Sequence, residues 1–396
     1  MEFRMIKDRD FLVFSDDWGR HPFSCQHIMQ HFLPCNRVLW VNTIGMRLPR
    51  LCLYDVKRAA GKISSWTSNP PQESLPDNLR VVSPVMVPFS NVYPVRNFNK
   101  WSVVRSVKKA MAEWGMHDPI FFATVPNASE YIGYFDECLV SYYCVDDFTV
   151  WPGMNLPDLV MEFEKRLLEE ADIVMAVSDE LYSTKKSVNN STLLLTHGVD
   201  VDHFFTKTVK RQRVLSLADI PGPIIGFYGL IDSHLDLEII RMLLDWRLDW
   251  TVVLIGTKRI DLGTLESRPN FRWLPAVPYE DLPQYASAFD VAIIPYVVNQ
   301  HTNTANPLKL REYLATGKPV VTTAMAEVFR FKEHLRIAAS PEDFASEVDK
   351  ALSDVVDPVA RLACLKGDAW TDKAQMVSDW IEEALLTKSQ AGLGVK

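Results

Sequence analysis

With 396 residues, 47% of them apolar and 23% charged, the chain is too long for one hydrophobic core and too apolar for disorder, so a globular protein of two domains is expected. Its net charge of −8 and the lack of a recognisable nucleic-acid module argue against a nucleic-acid partner. No apolar run reaches the length of a membrane span and the first residues lack a signal segment. Six scattered cysteines (25, 35, 52, 138, 144 and 364) form no CxxC pair, so a cytoplasmic protein with buried thiols and no zinc is expected.

In chain order, Phe11-Leu12-Val13-Phe14 reads as a first strand, followed by the polar loop Ser15 to Pro22 and a helix capped by Ser24. Gly19 permits close backbone approach, and Arg20, His21 and Gln26 offer polar groups facing a cleft. His21 has a catalytic reading beside the commoner structural one. Val38 to Val41 is the second strand, and residues 47–77 read as a long loop or partial helix, of a length that is usually functional or mobile. Arg80 to Val87 resumes strand character, and Asn97 to Trp114 is helical with Trp101, Val104, Val107 and Met111 on one stripe.

Residues 1–110 hold 16 Lys and Arg against 8 Asp and Glu, leaving 26 against 42 for the rest. With Trp18, Trp40, Trp66 and Trp101 interspersed, this basic lobe either meets an anionic membrane surface or a phosphate-bearing lipid, or is a solvated surface over core tryptophans.

Pro119 to Phe122 and Cys138 to Tyr143 are two more buried strands, the second delivering Asp146 and Asp147 to its carboxyl end. A carboxylate near a like charge can have its pKa raised and act as a base toward an acceptor hydroxyl; the alternative is one loop-capping and one solvated Asp. A helix Leu159 to Glu170, a strand Ala171 to Ser178 and the run Thr192 to Asp200 follow, then a hinge between Val201 and Pro223. The second domain begins with Ile224 to Tyr228 and turns at Gly229 into a helix from Leu235; the strand Thr251 to Ile255 precedes Lys258 and Arg259. No strand runs into GxGxxG, which argues against a dinucleotide-dependent dehydrogenase.

Phe289 to Tyr296 reads as a buried strand, Val297 to Ala305 as a polar loop, and Asn306 as the cap of a helix that has Pro307 at its first position and ends at Gly317. Pro319 starts the next strand, Val320 to Thr323. A loop at a strand's carboxyl end with a helix opening toward it is where α/β sheets bind ligands, and free amides there favour an anion. Lys309 adds a positive charge in the first turn and Glu312 lies one turn deeper, a spacing that suits a phosphate and a sugar hydroxyl, or equally an ordinary capped helix with solvated side chains.

The stretch Glu312-Tyr313-Leu314-Ala315-Thr316-Gly317-Lys318-Pro319-Val320-Val321 resembles the nucleotide-sugar segment of GT-B glycosyltransferases, group 1 and family 4-like. The runs Ala171-Asp172-x-Val174-x-x-Val177-Ser178 and His197-Gly198-Val199-Asp200 resemble the marks that end the first domain in that group, and together the matches cover much of residues 140–325. By this resemblance Glu312 holds the donor ribose. The place of a second Glu, eight residues earlier, is Thr304, and Pro307-Leu308-Lys309 is similar to bacterial exopolysaccharide transferases such as the xanthan glucuronosyltransferase, in which a Lys meets the donor diphosphate. The Arg and Lys that the family carries after the strand at 224–228 are missing, which shifts the diphosphate to Lys309, the helix end, the Gly229 backbone and Lys258 or Arg259. Trp273 to Val277 falls where the family contacts the base, and an acidic or His residue is usual at the place of Asp146 and Asp147.

The resemblance implies an α/β protein of GT-B fold: an acceptor-binding Rossmann-like domain over 1–203, a nucleotide-sugar-binding one over 204–375 facing it across a cleft, and a helix over 376–396 packing back on the first. It implies a glycosyltransferase, hexosyl or glucuronosyl, that needs no cofactor or metal. A UDP-sugar is the donor and a lipid-linked or oligosaccharide hydroxyl the acceptor, in cell-surface polysaccharide assembly at the inner membrane face. The donor-binding residues are Tyr228, Gly229, Lys258, Thr304, Asn306, Pro307, Leu308, Lys309 and Glu312; Arg20, His21 and Gln26, with the loop at 47–77, meet the acceptor; Asp146 or Asp147 is the base, and the missing Glu leans the outcome to inversion. A two-lobed binding protein without turnover and a sugar-nucleotide epimerase of the same fold are the alternatives.

Overall fold

Among the described residues, near-continuous apolar, β-branched runs build two wholly parallel sheets, as strands covered on both faces require. A computed structural model describes residues 5–19, 23–43, 75–151, 154–209, 215–354 and 357–393. The chain divides into two units, residues 1–196 with 371–396, and His197–Trp370. The first division falls before 203 because Val199 donates its amide to the Asp368 carbonyl at 2.8 Å and pairs with Ala369, tying residues 197–200 to the end of the second unit.

In the first unit the strands β1 (Asp10–Ser15), β2 (Arg37–Asn42), β3 (Leu79–Val82), β4 (Ile120–Ala123), β5 (Leu139–Cys144), β6 (Ile173–Ala176) and β7 (Thr192–Leu194) lie in the order β3-β2-β1-β4-β5-β6-β7. Helices α1 (Ser24–Phe32), α2 (Tyr93–Trp114), α3 (Pro157–Glu170) and α4 (Asp179–Lys186) connect them. Ser24 is the first helical residue, not the cap; Phe23 takes the cap position without a side-chain hydrogen bond. Strand β3 stops at Val82 because Pro84 and Pro88 cannot donate to a ladder and the backbone of residues 85–87 bonds to α2 instead. Asn99 both accepts from Val87 N at 2.7 Å and donates to Val87 O at 2.8 Å, while Ser102 donates to Val85 O at 2.6 Å. These bonds turn Asn99, Ser102, Val103, Val107 and Met111 inward and Trp101 outward, 57% exposed, so the stripe expected through Trp101 is corrected.

The second unit opens with α5 (Val201–Val209) and α6 (Leu215–Ala218). Its sheet has the order β10-β9-β8-β11-β12-β13, from β8 (Ile224–Tyr228), β9 (Thr251–Ile255), β10 (Phe271–Leu274), β11 (Val291–Ile294), β12 (Val320–Thr323) and β13 (Arg336–Ala338). Between them run α7 (Leu237–Trp246), α8 (Leu282–Ala288), α9 (Gln300–Thr304), α10 (Leu308–Ala315), α11 (Pro341–Leu352) and α12 (Pro358–Ala363). One sheet face is covered by Leu310, Tyr313 and Leu314 of α10 and the other by Ile239, Ile240, Leu243 and Leu244 of α7. The last helix, α13 (Trp370–Leu393), returns to the first unit. There Ser378 accepts the Ile6 amide at 2.7 Å and Lys373 donates to Thr196 at 2.9 Å.

Helix α10 is fixed by Arg311, which has no exposed surface. Its guanidinium donates to Asp368 (2.9 Å), Glu327 (2.9 Å) and Asn306 (2.6 Å), so every partner of the charge lies within the second unit. Glu327→Ala would take from the buried cation one of its two carboxylates, and we expect equilibrium denaturation of the full chain to show a loss of about 3–5 kcal/mol. Glu327→Gln, which keeps an acceptor, should cost less.

Candidate functional site

Strand order in the second unit reverses between β8 and β11, so the loops that leave their carboxyl ends, after Tyr228 and after Ile294, flank the switch point where open α/β sheets take ligands. Gly229 leaves β8 with φ +141° and Gly256 leaves β9 with φ +148°. Both conformations favour glycine: a Cβ on Gly256 would lie 1.8 Å from the Gly229 carbonyl oxygen, and one on Gly229 would lie 2.9 Å from Lys309 Cε and 3.1 Å from its Nζ, displacing the ammonium. The Gly229 amide donates to the Ile255 carbonyl at 2.9 Å, which corrects its expected place as a phosphate donor.

Lys309 reaches this crossing from the first turn of α10. Its ammonium donates to the Tyr296 hydroxyl and lies 4.9 Å from the centre of that ring and 5.3 Å from that of Phe227. Such aromatic contacts hold a cation without neutralising it. One turn deeper, Glu312 accepts the Tyr228 hydroxyl at 2.8 Å through Oε2, while its other oxygen makes no hydrogen bond among the described residues. Burial pushes the Glu312 carboxyl up, against the opposing Tyr228 hydrogen bond and Lys309 charge. The Tyr228 amide in turn donates to the Tyr313 hydroxyl at 2.8 Å, so β8 and α10 are fastened side by side. Lys309, Glu312, Tyr228 and Gly229, proposed from sequence, are thus brought together.

Asn306 is not the cap. The N-cap position belongs to Pro307, without a side-chain hydrogen bond, and Leu308 is the first helical residue; the Leu310 amide donates to the Pro307 carbonyl at 3.1 Å, while those of Leu308 and Lys309 keep donor capacity among the described residues. The Asn306 side chain accepts from Arg311 and donates to Glu327 at 3.1 Å, because the buried guanidinium outcompetes the helix end for it. Gly317, φ +72°, follows the helix as expected. Thr304 lies not in a loop but in α9, begun by a capping box between Asn299 and Thr302; it is buried, and its hydroxyl donates to the His301 carbonyl at 2.9 Å. Lys258 is paired with Glu266 and lies 4.8 Å from the centre of the Trp273 ring, whose indole N–H donates to Gly256 O at 3.0 Å.

A second group at the same switch point escaped the sequence reading. His234 Nδ1 is 2.6 Å from Asp232 Oδ1, and the His234 ring meets His301 at 4.8 Å, edge to face, and Tyr296 at 6.3 Å. The buried His234 Nε2 has no hydrogen-bond partner among the described residues. Burial pushes the Asp232 carboxyl up, but hydrogen bonds from the His234 ring and amide outweigh it and hold the carboxyl below its ordinary value. The available signal was Asp232-x-His234 a few residues after the strand that ends at Tyr228.

In the first unit Arg20 and His21 lie outside the described residues, as does most of the long loop at 47–77. Gln26 is buried and accepts the Gly19 amide at 3.4 Å. Asp146 accepts the Trp151 indole N–H at 2.6 Å and the Asp147 amide at 2.8 Å; Asp147 accepts the Thr149 hydroxyl at 2.5 Å and amide at 3.0 Å. Both carboxylates therefore shape their own turn.

Residues 224–354 match the family model described as glycosyl transferases group 1. The chain is 27% identical over 234 residues to a Bacillus subtilis (strain 168) protein carrying the name teichuronic acid biosynthesis glycosyltransferase TuaH, and the match spans 54% of this chain and 58% of that protein's length. Among solved structures it is similar to sucrose-phosphate synthase from Thermosynechococcus elongatus (TM-score 0.65, 15% identity, 98% of this chain and 99% of that one). It is also similar to HepE of Anabaena in complex with UDP and glucose (TM-score 0.60, 14% identity, 98% and 99%). The fold is therefore GT-B, and the resemblance to group 1 glycosyltransferases is borne out, with the matched segment carrying the switch-point site.

The Asp232–His234 pair has a pH signature. We expect Asp232→Asn to lower stability at neutral pH by about 1 kcal/mol. A depressed carboxyl stabilises above its unfolded pKa and loses that contribution as pH falls through its folded one, so denaturation curves of variant and parent should converge in acid.

Proposed function

We propose that the protein transfers a sugar, hexosyl or glucuronosyl, from a UDP-linked donor to a hydroxyl of a lipid-linked or oligosaccharide acceptor in cell-surface polysaccharide assembly, on the cytoplasmic side of a membrane that it contacts peripherally. One observation carries the reading: a lysine ammonium placed against Gly229 at the switch point, with a half-satisfied carboxylate one turn deeper. The donor diphosphate takes Lys309 and the open amide before it, at Leu308; Glu312 accepts ribose hydroxyls on its remaining oxygen. Lys309 and the helix end stabilise the leaving diphosphate, so the step needs no metal. Asp146 or Asp147 takes the acceptor proton, with inversion. The UDP and glucose bound by HepE and the name borne by the Bacillus relative support donor and acceptor class.

A binding protein without turnover is the second reading, favoured by the loop after β8, whose Gly229 amide is already taken. Incubation of the full chain with UDP-glucose and with UDP-glucuronate separates the two. We expect slow release of UDP, unchanged by EDTA and reduced about 100-fold or more by Lys309→Ala. A binder releases none, and an epimerase inverts a stereocentre of each donor sugar without net release of UDP. Because the Glu312 carboxyl is raised, donor KM should climb as pH falls, starting above the usual carboxylate range; Glu312→Gln should start weak and stay flat.

A further inference from the structure

The N-terminal half of helix α2 turns polar side chains inward and aromatic ones outward. Its inner face carries Asn99 and Ser102, 3% and 7% exposed, whereas Tyr93, Phe98 and Trp101 are 74%, 41% and 57% exposed. Packing alone would bury the tryptophan and leave the amide in water. The polar pair is held inward by the backbone bonds to Val85 and Val87, and the segment before the helix adds Phe89, 44% exposed, to the same end of the unit. Pro94, Phe98, Trp101, Arg105 and Lys108 follow one another at helical spacing down the outer face, all exposed.

The charge on this helix has one sign: five Lys and Arg against a single Glu over 93–114. Arg96 is neutralised by Glu130 and Glu162, at 2.7 and 3.0 Å, and Lys109 lies 3.8 Å from Glu113. Arg105 lies 5.6 Å from the centre of the Trp101 ring and Lys100 5.7 Å from that of Tyr134, so cations and aromatics share the surface. The residue types discriminate between occupants. Protein interfaces are depleted in lysine at their cores, whereas a helix lying in a bilayer interface combines aromatic residues at headgroup depth with Lys and Arg reaching phosphate.

We propose that the outer face of α2, with Phe89 and Tyr93 at its start, docks the first unit onto an anionic lipid bilayer, the aromatics entering the headgroup layer and Lys100, Arg105 and Lys108 pairing with lipid phosphate. This deepens the membrane contact of the reading above and stands whether or not sugar is transferred.

The test is flotation of the full chain with vesicles of phosphatidylcholine with and without phosphatidylglycerol. The parent should float with the anionic vesicles alone and lose binding in high salt. The double variants Phe98→Ser/Trp101→Ser and Arg105→Glu/Lys108→Glu should each lose about tenfold or more in partition, with unchanged melting because the substituted side chains are exposed. No flotation, equal flotation with neutral vesicles, or binding indifferent to both double variants overturns the proposal. So does a dimer in sedimentation that Phe98→Ser/Trp101→Ser dissolves, which would assign the face to a second copy. UDP release from the same variants, expected at the parent's rate, separates a failed docking surface from a failed transfer reading.

Discussion

A lysine ammonium held against a bare backbone is the constraint on which the second unit's site depends. Gly229 and Gly256 cross so closely that a β-carbon on Gly256 would strike the Gly229 carbonyl, and the space beside Gly229 is filled by the end of the Lys309 side chain. The rings of Phe227 and Tyr296 flank the ammonium and Tyr296 gives it a neutral oxygen, so the positive charge is positioned without being cancelled by a paired carboxylate. Charge presented this way at the carboxyl end of a parallel sheet is suited to a diphosphate, because helix amides and side chain act on the same oxygens.

What aims Lys309 is the opposite face of its helix. Arg311, two residues on, is wholly buried among Asn306, Glu327 and Asp368, and Tyr313 fastens the helix to β8 through the Tyr228 amide. A buried ion network adds little net stability but fixes one arrangement, since any shift leaves a charge unpaired. Helix rotation, and with it the direction of Lys309 and Glu312, is set there.

The strands were legible in the sequence because a run such as Val291 to Ile294 or Val320 to Thr323 is apolar at every position, as only a doubly covered strand needs to be. Gly317 marked the helix end for an equally local reason. The errors came where a distant partner decides. Asn306 has the residue type of a cap, but its side chain is claimed by Arg311 and by Glu327, 21 residues away. Trp101 sits at helical spacing from Val104 and Met111, yet Asn99 and Ser102 bind a preceding backbone segment and rotate it outward. His234 and His301 meet only because the loops after β8 and β11 are neighbours across the switch point.

The central claim, that Lys309 receives a nucleotide's diphosphate, is tested most directly by calorimetric titration of the full chain and of Lys309→Met with uridine, UMP and UDP. The account predicts that the parent gains affinity at each phosphate added, and that Lys309→Met abolishes most of the gain from UMP to UDP while leaving uridine binding alone. Equal UDP affinity in parent and variant, or a parent indifferent to the second phosphate, would contradict it.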